Sequence, residues 1–514
     1  MGFNAARSLF IGLEPDFMSR ILPVAATAAL ALTLTAGSSL AQDCRALVRL
    51  DLQAAHDELA ANHPAPAIPG QASDTFRAWL DAGLQEALSK AGQASSGSSH
   101  AYLLRYYAAG FRDSNIVIRP SYETSADRFK ATSWPGLATG WRNGQYVVTY
   151  VQPGVRGLPP VGAVVTECNL EPIEQYSRTK LDLWEGDLNT EAGRINSAPY
   201  LLWNRNNPFA GGTPSTCNYK VGNRRERAYD LRPVPVVAAN LEAAYRSTLY
   251  TPTATPLSIE TVNGRPWINV HSFADDAGWD AFNAQLEGQL ATIRGPQGFV
   301  LDLRGGSGAS NLGSTARGYG VLNRLWTSEF TQSRQPTGGD FTYRATAGNR
   351  QWYADVIGRM QQDARFVYEA PDVIAQTQAT LAAFDAAIAA GQATFTQPQA
   401  EIVIDPNAAN PVQGPVVVLV DAGCSGGCLD TLDLLNRLPN VRIAGATTAP
   451  DSIFIEQTVT RLPSSYADLS YGHKAWTSRE RGNNQPFIPA QGLTYAGSPV
   501  DENAVRAWVG TLFQ

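Results

Sequence analysis

The sequence has few side chains that can take up a proton near neutral pH. It contains five histidines and five lysines among 514 residues, and Lys474 is the only lysine after Lys220. It also lacks the GxxxxGK[ST] motif, and its formal net charge is −6. The missing motif argues against nucleotide binding, and the mildly acidic charge argues against nucleic acid as a partner. No cofactor is predicted.

Long apolar runs are absent after the first 41 residues. The run from Ile21 to Leu34 is shorter than the ~20 apolar residues that a membrane-spanning helix needs. Small residues follow it at Ser39 and Ala41, a pattern typical of a signal peptide that is cleaved after Ala41. We therefore expect an exported protein, periplasmic or secreted, with no stable membrane span after cleavage.

Cysteines are also few. Cys168 and Cys217 lie in the same region and are candidates for a disulfide bond in an oxidising compartment. Cys424 and Cys428 bracket Ser425, and their spacing leaves open whether they bond to each other. No second ligand pair accompanies this Cys-x3-Cys, which argues against a zinc site. A cysteine nucleophile at either position is a minor alternative.

The most informative segment runs from Gly414 to Leu438. Val416–Val420 is an unbroken apolar run that predicts a strand buried on both faces, and leucines recur after it at helical spacing. Ser425 therefore lies where a strand ends and a helix begins. A hydroxyl there is beside free backbone N–H groups, which can stabilise an oxyanion. The same position also suits an ordinary helix N-cap, so this pattern alone leaves both roles open.

A second predicted strand, GFVLDL from Gly298 to Leu303, leads into the glycine-rich segment Arg304–Ser310. Glycines permit unusual backbone angles and close approach of main-chain amides. The segment does not fit GxGxxG, so a dinucleotide site is not expected.

Together, the DLRGGSGAS loop and the VVVLVDAGCSGGCLD turn resemble the two signature segments of the tail-specific (C-terminal processing) and tricorn-like serine peptidases. Three further segments resemble landmarks of that family, in the same order: Asn62–Pro64, Phe111–Asn115 and Trp267–Phe273. The resemblance implies an α/β fold with a crotonase-like or ClpP-like catalytic core. It also implies a peptide or protein substrate.

The resemblance assigns roles to three residues. Ser425 falls on the nucleophile, and the N–H groups of Gly426 and Gly308 fall on the oxyanion donors. The implied chemistry is acyl transfer, in which Ser425 attacks a peptide carbonyl and the acyl-enzyme is then hydrolysed.

The general base is where this sequence departs from the family. Tail-specific members carry a lysine shortly after the nucleophile, but the corresponding stretch Ile443–Pro450 has none. Tricorn-like members use a Ser-His pair that a distant glutamate orients. Here Ser114 and Asn115 occupy the pair, and Glu480 is the candidate glutamate. An amide does not accept a proton at neutral pH, so the usual base is missing.

Three functions therefore remain open: an exported serine-type endopeptidase, a pseudopeptidase that binds peptides without cleaving them, and an esterase on the same scaffold. A base relocated to His473 or Lys474 would favour the first function. Asn115 favours the second, and an esterase tolerates a poor base because its leaving group needs less protonation.

Composition divides the chain into regions. A Gly-Leu turn near Gly157 resembles the PDZ carboxylate loop, but Ala163 replaces its Asp, which leaves peptide binding there in doubt. The oligomeric state is not predicted. The predicted regions are a signal peptide (1–41), an N-terminal helical domain (42–128), a divergent PDZ-like β domain (129–235) and a serine peptidase core (236–514) with a helical insertion at about 341–400.

Overall fold

The computed structural model describes residues 39–252, 255–274, 278–308, 311–335, 340–364, 366–367, 371–398 and 404–514. Apart from its last three residues, the predicted signal peptide lies outside the described residues. So do Ala309 and Ser310 of the glycine-rich loop.

Helices form the amino-terminal region. They are α1 (Ser39–Asn62), α2 (Gln71–Ala91) and α3 (Gly97–Gly110), and strand β1 (Val117–Pro120) follows them. Ser96 starts α3, because its side chain accepts a hydrogen bond from the Ser99 N–H while the Ser99 hydroxyl accepts one from the Ser96 N–H. The apolar faces of these helices share one buried cluster with Phe454, Leu469 and Tyr471, which come from near the other end of the chain.

An antiparallel sheet follows, in the order β2-β3-β4-β6-β7 with β5 beside β4. Cys168 and Cys217 lie opposite each other on β4 and β6 and form a disulfide bond, as predicted. The elements of this region are β2 (Leu137–Arg142), β3 (Gln145–Val151), β4 (Val164–Cys168), β5 (Glu171–Pro172), α4 (Ile173–Leu181), α5 (Glu191–Ser197), β6 (Thr216–Lys220), β7 (Arg227–Asp230) and α6 (Ala238–Arg246).

The second half of the chain alternates strands and helices. Its elements are β8 (Leu257–Val262), β9 (Arg265–Val270), α7 (Trp279–Ile293), β10 (Phe299–Asp302), α8 (Leu312–Trp326), α9 (Ser328–Gln332), β11 (Phe341–Arg344), α10 (Ala347–Met360), α11 (Pro371–Ala389), β12 (Thr394–Gln397), β13 (Val416–Val420), α12 (Gly427–Leu435), β14 (Val441–Gly445), β15 (Phe454–Arg461), β16 (Ala467–Trp476) and α13 (Glu502–Thr511).

The central sheet has the order β14-β13-β10-β9-β8, and all of its strands except the edge strand β8 run parallel. Every residue of β10 and β13 is buried, which explains their continuous apolar character. Because β10 and β13 are parallel neighbours, their carboxyl ends lie at the same edge of the sheet. The glycine-rich loop and the Ser425 turn therefore meet there.

A third sheet joins distant parts of the chain. Its order is β1-β16-β11-β12, with β15 also pairing with β16. It thus combines the amino-terminal strand, the strands on either side of α10 and α11 in the predicted insertion, and the strands after the central sheet.

The mixture of helices with parallel and antiparallel sheets confirms the predicted α/β class. The predicted region boundaries remain a prediction. Within the ranges described above, no helix is both long and apolar enough to cross a membrane.

Candidate functional site

Asp421 links the Ser425 turn to the glycine-rich loop. Its carboxylate accepts hydrogen bonds from the N–H of Gly423 at 2.9 Å and of Gly305 at 2.7 Å. Burial raises the pKa of this carboxyl, and the two N–H donors act in the opposite direction. One side chain therefore holds together the two segments that follow β13 and β10.

Ser425 also contacts the glycine-rich loop through its own backbone. Its N–H donates to the carbonyl oxygen of Gly306 at 3.1 Å, and Ser425 is half-buried. The buried Cys424 and Cys428 form a disulfide bond around it, which answers the question that their spacing left open. The bond packs closely on the loop, since a Cβ atom at Gly306 would lie 3.3 Å from the Cys428 Sγ.

Gly426 has φ 57° and ψ −122°, a conformation that L side chains rarely adopt, and α12 begins at the next residue. The chain can therefore turn sharply from Ser425 into the helix. Ser314 of α8 lies against both segments, because a Cβ atom at Gly427 would lie 2.6 Å from the Ser314 Cβ and one at Gly308 would lie 3.1 Å from its Oγ. Ser425, Gly426 and Gly308 are thus placed at one edge of the central sheet.

Asn115 is buried beside this edge. Its Nδ2 donates to Asp451 Oδ1 at 3.1 Å and to the Phe454 carbonyl at 2.8 Å. The segment that carries Asp451 is attached to the Ser425 turn, because the Ala449 N–H donates to the Cys424 carbonyl at 3.1 Å. The described contacts therefore lead from Asn115 to the turn through residues 449–451. Ser114, the other member of the predicted pair, is exposed.

The structure places Glu480 on the surface, where it forms an ion pair with Arg437. Its side chain is 65% exposed. The carboxylate behind Asn115 is instead Asp451, which Arg479 contacts through Nη1 at 2.9 Å. Arg479 and Arg481, on either side of Glu480, are buried, whereas the Glu480 side chain points to solvent.

Arg481 completes a buried ionic cluster that sequence reasoning missed. It donates to Asp430 Oδ1 and to Asp433 Oδ1, each at 3.0 Å, and both aspartates belong to α12. Burial raises the pKa of Asp433 to about 6, although Arg481 opposes this shift. The spacing of Asp430 and Asp433 on one face of a helix is the signal that was available, but their partner lies some 50 residues further along the chain.

The two relocated-base candidates lie in β16 and have other partners. His473 Nε2 is 2.9 Å from the Tyr353 hydroxyl, and burial together with Lys474 lowers the pKa of this histidine well below its usual value. Lys474 lies 3.5 Å from Glu456 and 4.3 Å from the centre of the Phe341 ring. Both side chains therefore contact the predicted insertion and β15.

A second buried group lies next to Asn115. Asp113 accepts hydrogen bonds from Ser452 Oγ at 2.9 Å and from the Asn115 N–H at 2.8 Å, and His63 Nε2 is 3.9 Å from its Oδ2. Burial raises the pKa of Asp113 to about 7. Burial, with a smaller contribution from Arg344, lowers the pKa of His63 well below its ordinary value.

No protein-family model and no curated protein matches this chain. Several solved structures match it. Mature CPAF matches with a TM-score of 0.54 and 12% identity over 91% of this chain and 96% of its own. CPAF complexed with lactacystin matches with a TM-score of 0.54 and 12% identity over 91% and 97%. The photosystem II D1 C-terminal processing protease matches over 90% and 96%, with 14% identity and a TM-score of 0.33.

CPAF is a serine peptidase of the tail-specific type, so the resemblance predicted from the sequence is confirmed at the level of the fold. The match to CPAF extends over nearly the whole of both chains. At this identity it establishes how the chain folds, and the chemistry has to be argued from the residues.

Proposed function

We propose that this chain, which has the fold of the tail-specific serine peptidases, binds peptides and hydrolyses them slowly through an acyl-enzyme on Ser425. The observation that carries the proposal is the meeting of two loops at the carboxyl edge of the central sheet. There the Ser425 N–H donates to Gly306 at 3.1 Å, and Asp421 binds both loops.

In the proposed reaction, Ser425 Oγ bonds to the peptide carbonyl carbon and loses its proton to solvent. The N–H groups of Gly426 and Gly308 stabilise the resulting oxyanion, and such a donor is worth on the order of 3 kcal/mol of barrier. Collapse of the intermediate releases an amine, which takes a proton from solvent, and water then hydrolyses the acyl-enzyme.

Slow turnover follows from the absence of the family's base. Asn115 cannot accept the Ser425 proton, and its Nδ2 is bound by Asp451 and the Phe454 carbonyl. Peptide cleavage is slowed at two steps, because the nucleophile must lose a proton and the leaving amine must gain one without a general base or acid. An activated ester avoids the second requirement, so we expect it to react faster than a peptide.

A pseudopeptidase is the second candidate. The observation that favours it is the fixed position of the Asn115 amide, which suits a structural role better than a catalytic one. On this alternative the edge of the central sheet beside Ser425 binds peptides, and Ser425 serves only as part of the turn before α12.

The test compares wild type, Asn115→His and Ser425→Ala on an unstructured peptide and on an activated ester. We expect weak peptide cleavage and measurable ester turnover by wild type, a gain in both for Asn115→His, and loss of both for Ser425→Ala. Equal residual rates in all three would remove Ser425 from the mechanism and favour the pseudopeptidase. Robust wild-type peptide cleavage that Ser425→Ala abolishes would show that another group serves as base.

Three finer assignments belong to the same proposal. The central sheet with α8 and α12 would be a crotonase-like or ClpP-like core, and the β2–β7 sheet would be a divergent PDZ-like domain. Export to the periplasm or the medium is supported by the apolar run from Ile21 to Leu34. Export is tested by separating a culture into cytoplasm, periplasm and medium and measuring in which fraction the protein accumulates.

A further inference from the structure

A polar cavity of about 650 Å³ lies between the amino-terminal helices and the β2–β7 sheet region. This volume falls within the range of about 300–1,000 Å³ that is usual for ligand sites. Tyr102 and Arg105 of α3 line it, together with Tyr200 and Arg205 from the segment after α5. Thr124, Ser125, Arg128 and Lys130 are exposed lining residues and form its mouth.

Polar contacts join the lining residues to one another. Arg205 lies 4.1 Å above the centre of the Tyr200 ring and forms an ion pair with the buried side chain of Glu185. Tyr102 donates its hydroxyl hydrogen to the same Glu185 at 2.8 Å. Arg205 also donates to the Asp127 carbonyl at 2.8 Å, which attaches the mouth to the segment after α5. The cavity is therefore formed before any ligand binds.

The cavity is lined by four cationic side chains and three carboxylates, so it has one excess positive charge. Three of its cations are paired, Arg105 with Glu123, Lys130 with Asp127 and Arg205 with Glu185. Arg128 has no carboxylate partner among the described residues, and its Nε donates to the Ser125 carbonyl at 2.8 Å. Its terminal nitrogens are thus available at the mouth, where the residue is exposed.

We propose that this cavity is a recognition site for a carboxylate-bearing segment of a peptide, and that Arg128 contacts the carboxylate. A guanidinium binds a carboxylate with two parallel hydrogen bonds. The cavity has a single excess positive charge, which one carboxylate neutralises. A phosphate carries about twice that charge, so it would leave the lining with a net negative charge.

The cavity also borders the candidate active site. Asn196 lines it, and the Asn196 Nδ2 donates to the Ala422 carbonyl at 3.2 Å. Ala422 precedes Ser425 by three residues, a distance of at most about 11 Å along the chain. A peptide held in the cavity can therefore continue towards Ser425. This link to cleavage rests on the proposed function, whereas binding in the cavity does not.

The test measures binding to the full chain carrying Ser425→Ala, so that no turnover occurs. The probes are dansyl-labelled, carboxamide-terminated peptides that are identical except for one central Glu or one central Gln residue. We expect the Glu peptide to bind at least fivefold more tightly. We expect Arg128→Glu to weaken its binding at least tenfold and Arg128→Lys less than threefold.

Arg225→Glu is the matched control. Arg225 is an exposed arginine between β6 and β7 that does not line the cavity, so the same charge reversal there should leave affinity unchanged. A melting curve for each variant checks that it folds. Equal losses in Arg128→Glu and Arg225→Glu would overturn the proposal. Equal binding of the Glu and Gln peptides would also overturn it, unless a third peptide with a free terminal carboxylate binds through Arg128.

A third probe identifies the source of the carboxylate. It is a neutral peptide with a free terminal carboxylate. Tight binding of this peptide that depends on Arg128 would support the site and assign it to the chain terminus, whereas binding of the Glu peptide alone assigns it to acidic side chains. If wild type shows no Ser425-dependent turnover and the Glu peptide still binds through Arg128, the proposed function fails and the recognition site stands.

Discussion

The proposed chemistry depends at position 115 on a single side chain. The resemblance placed Asn115 where a histidine would act as base, and the structure gives its side chain two hydrogen bonds to Asp451 and Phe454. The Asp451 carboxylate is in turn held by a hydrogen bond from Arg479. A histidine at position 115 would therefore have a buried acid partner available in Asp451, which is why Asn115→His is the most informative single change.

Asp113 provides a prediction at the same scale. Burial raises the pKa of Asp113 to about 7, well above the value of about 3.9 for an unfolded chain. The folded state therefore binds a proton at Asp113 more tightly than the unfolded state does. The contribution of this proton to stability is fully present below pH ~4 and is lost as the pH rises to about 7. Asp113→Asn should therefore match wild type near pH 4 and exceed its unfolding free energy by roughly 2–4 kcal/mol at pH 8.

Chemical denaturation at a series of pH values measures this difference. Asp372→Asn, the same substitution at an exposed position, serves as control. A constant difference between Asp113→Asn and wild type from pH 4 to pH 8 would show that Asp113 does not titrate in this range.

Among the elements, those with local sequence signals were predictable. The apolar run of β13 and the helical spacing of α12 predicted the strand–turn–helix around Ser425, because both patterns reflect burial of neighbouring residues. The pairing of Asp430 and Asp433 with Arg481 was not predictable. It depends on how segments far apart in the chain fold against each other, and the flanking sequence of Arg481 is typical of an exposed charged loop.

The ionic cluster on α12 yields a matched pair of variants. Arg481→Met leaves Asp430 and Asp433 buried without their main partner, and removal of one member of a buried ion pair typically costs about 3–5 kcal/mol. Glu480→Gln removes an exposed surface charge and should change stability by less than about 0.5 kcal/mol. Thermal and urea unfolding of both variants measures the contrast.

The ester assay extends this comparison to function. Because α12 begins two residues after Ser425, we expect Arg481→Met to lower ester turnover as well, while Glu480→Gln leaves it unchanged. A large loss of turnover in Glu480→Gln would restore Glu480 as the orienting acid. Equal stability of the two variants would show that the cluster contributes nothing to holding the helix.

At the scale of the whole molecule, the third sheet and its surrounding cluster could not be derived from the sequence. Strand β16 pairs with β1, β11 and β15, which come from three separate parts of the chain. Local periodicity identifies strands but not partners so distant. The predicted helical region 42–128 consequently shares its buried cluster with strands near the carboxyl end, including Phe454, Leu469 and Tyr471.

Polar contacts reinforce that connection. Tyr471 donates to Glu58 at 2.6 Å, and Ser464 donates through Oγ to Asp51 at 2.6 Å. Asp51 also contacts His100 of α3 at 2.8 Å. The amino-terminal helices and the β15–β16 pair therefore form one buried unit, although about 340 residues or more separate them in the chain.

A truncation tests this coupling. We expect a chain that begins at residue 129 to fold poorly, because it exposes Phe454, Leu469 and Tyr471 and leaves β16 without β1. A chain that begins at residue 42, the predicted signal cleavage point, is the control and should give one cooperative unfolding transition and a monodisperse elution profile. Near-ultraviolet circular dichroism and size-exclusion chromatography compare the two chains.

If the shorter chain also unfolds cooperatively with an unchanged near-ultraviolet spectrum, the helices are an independent domain and the shared cluster adds little to stability. If it aggregates, as we expect, the amino-terminal region is needed to complete the sheet, and mutations in the buried faces of α1 to α3 will reach the Asn115–Asp451 contact through β15.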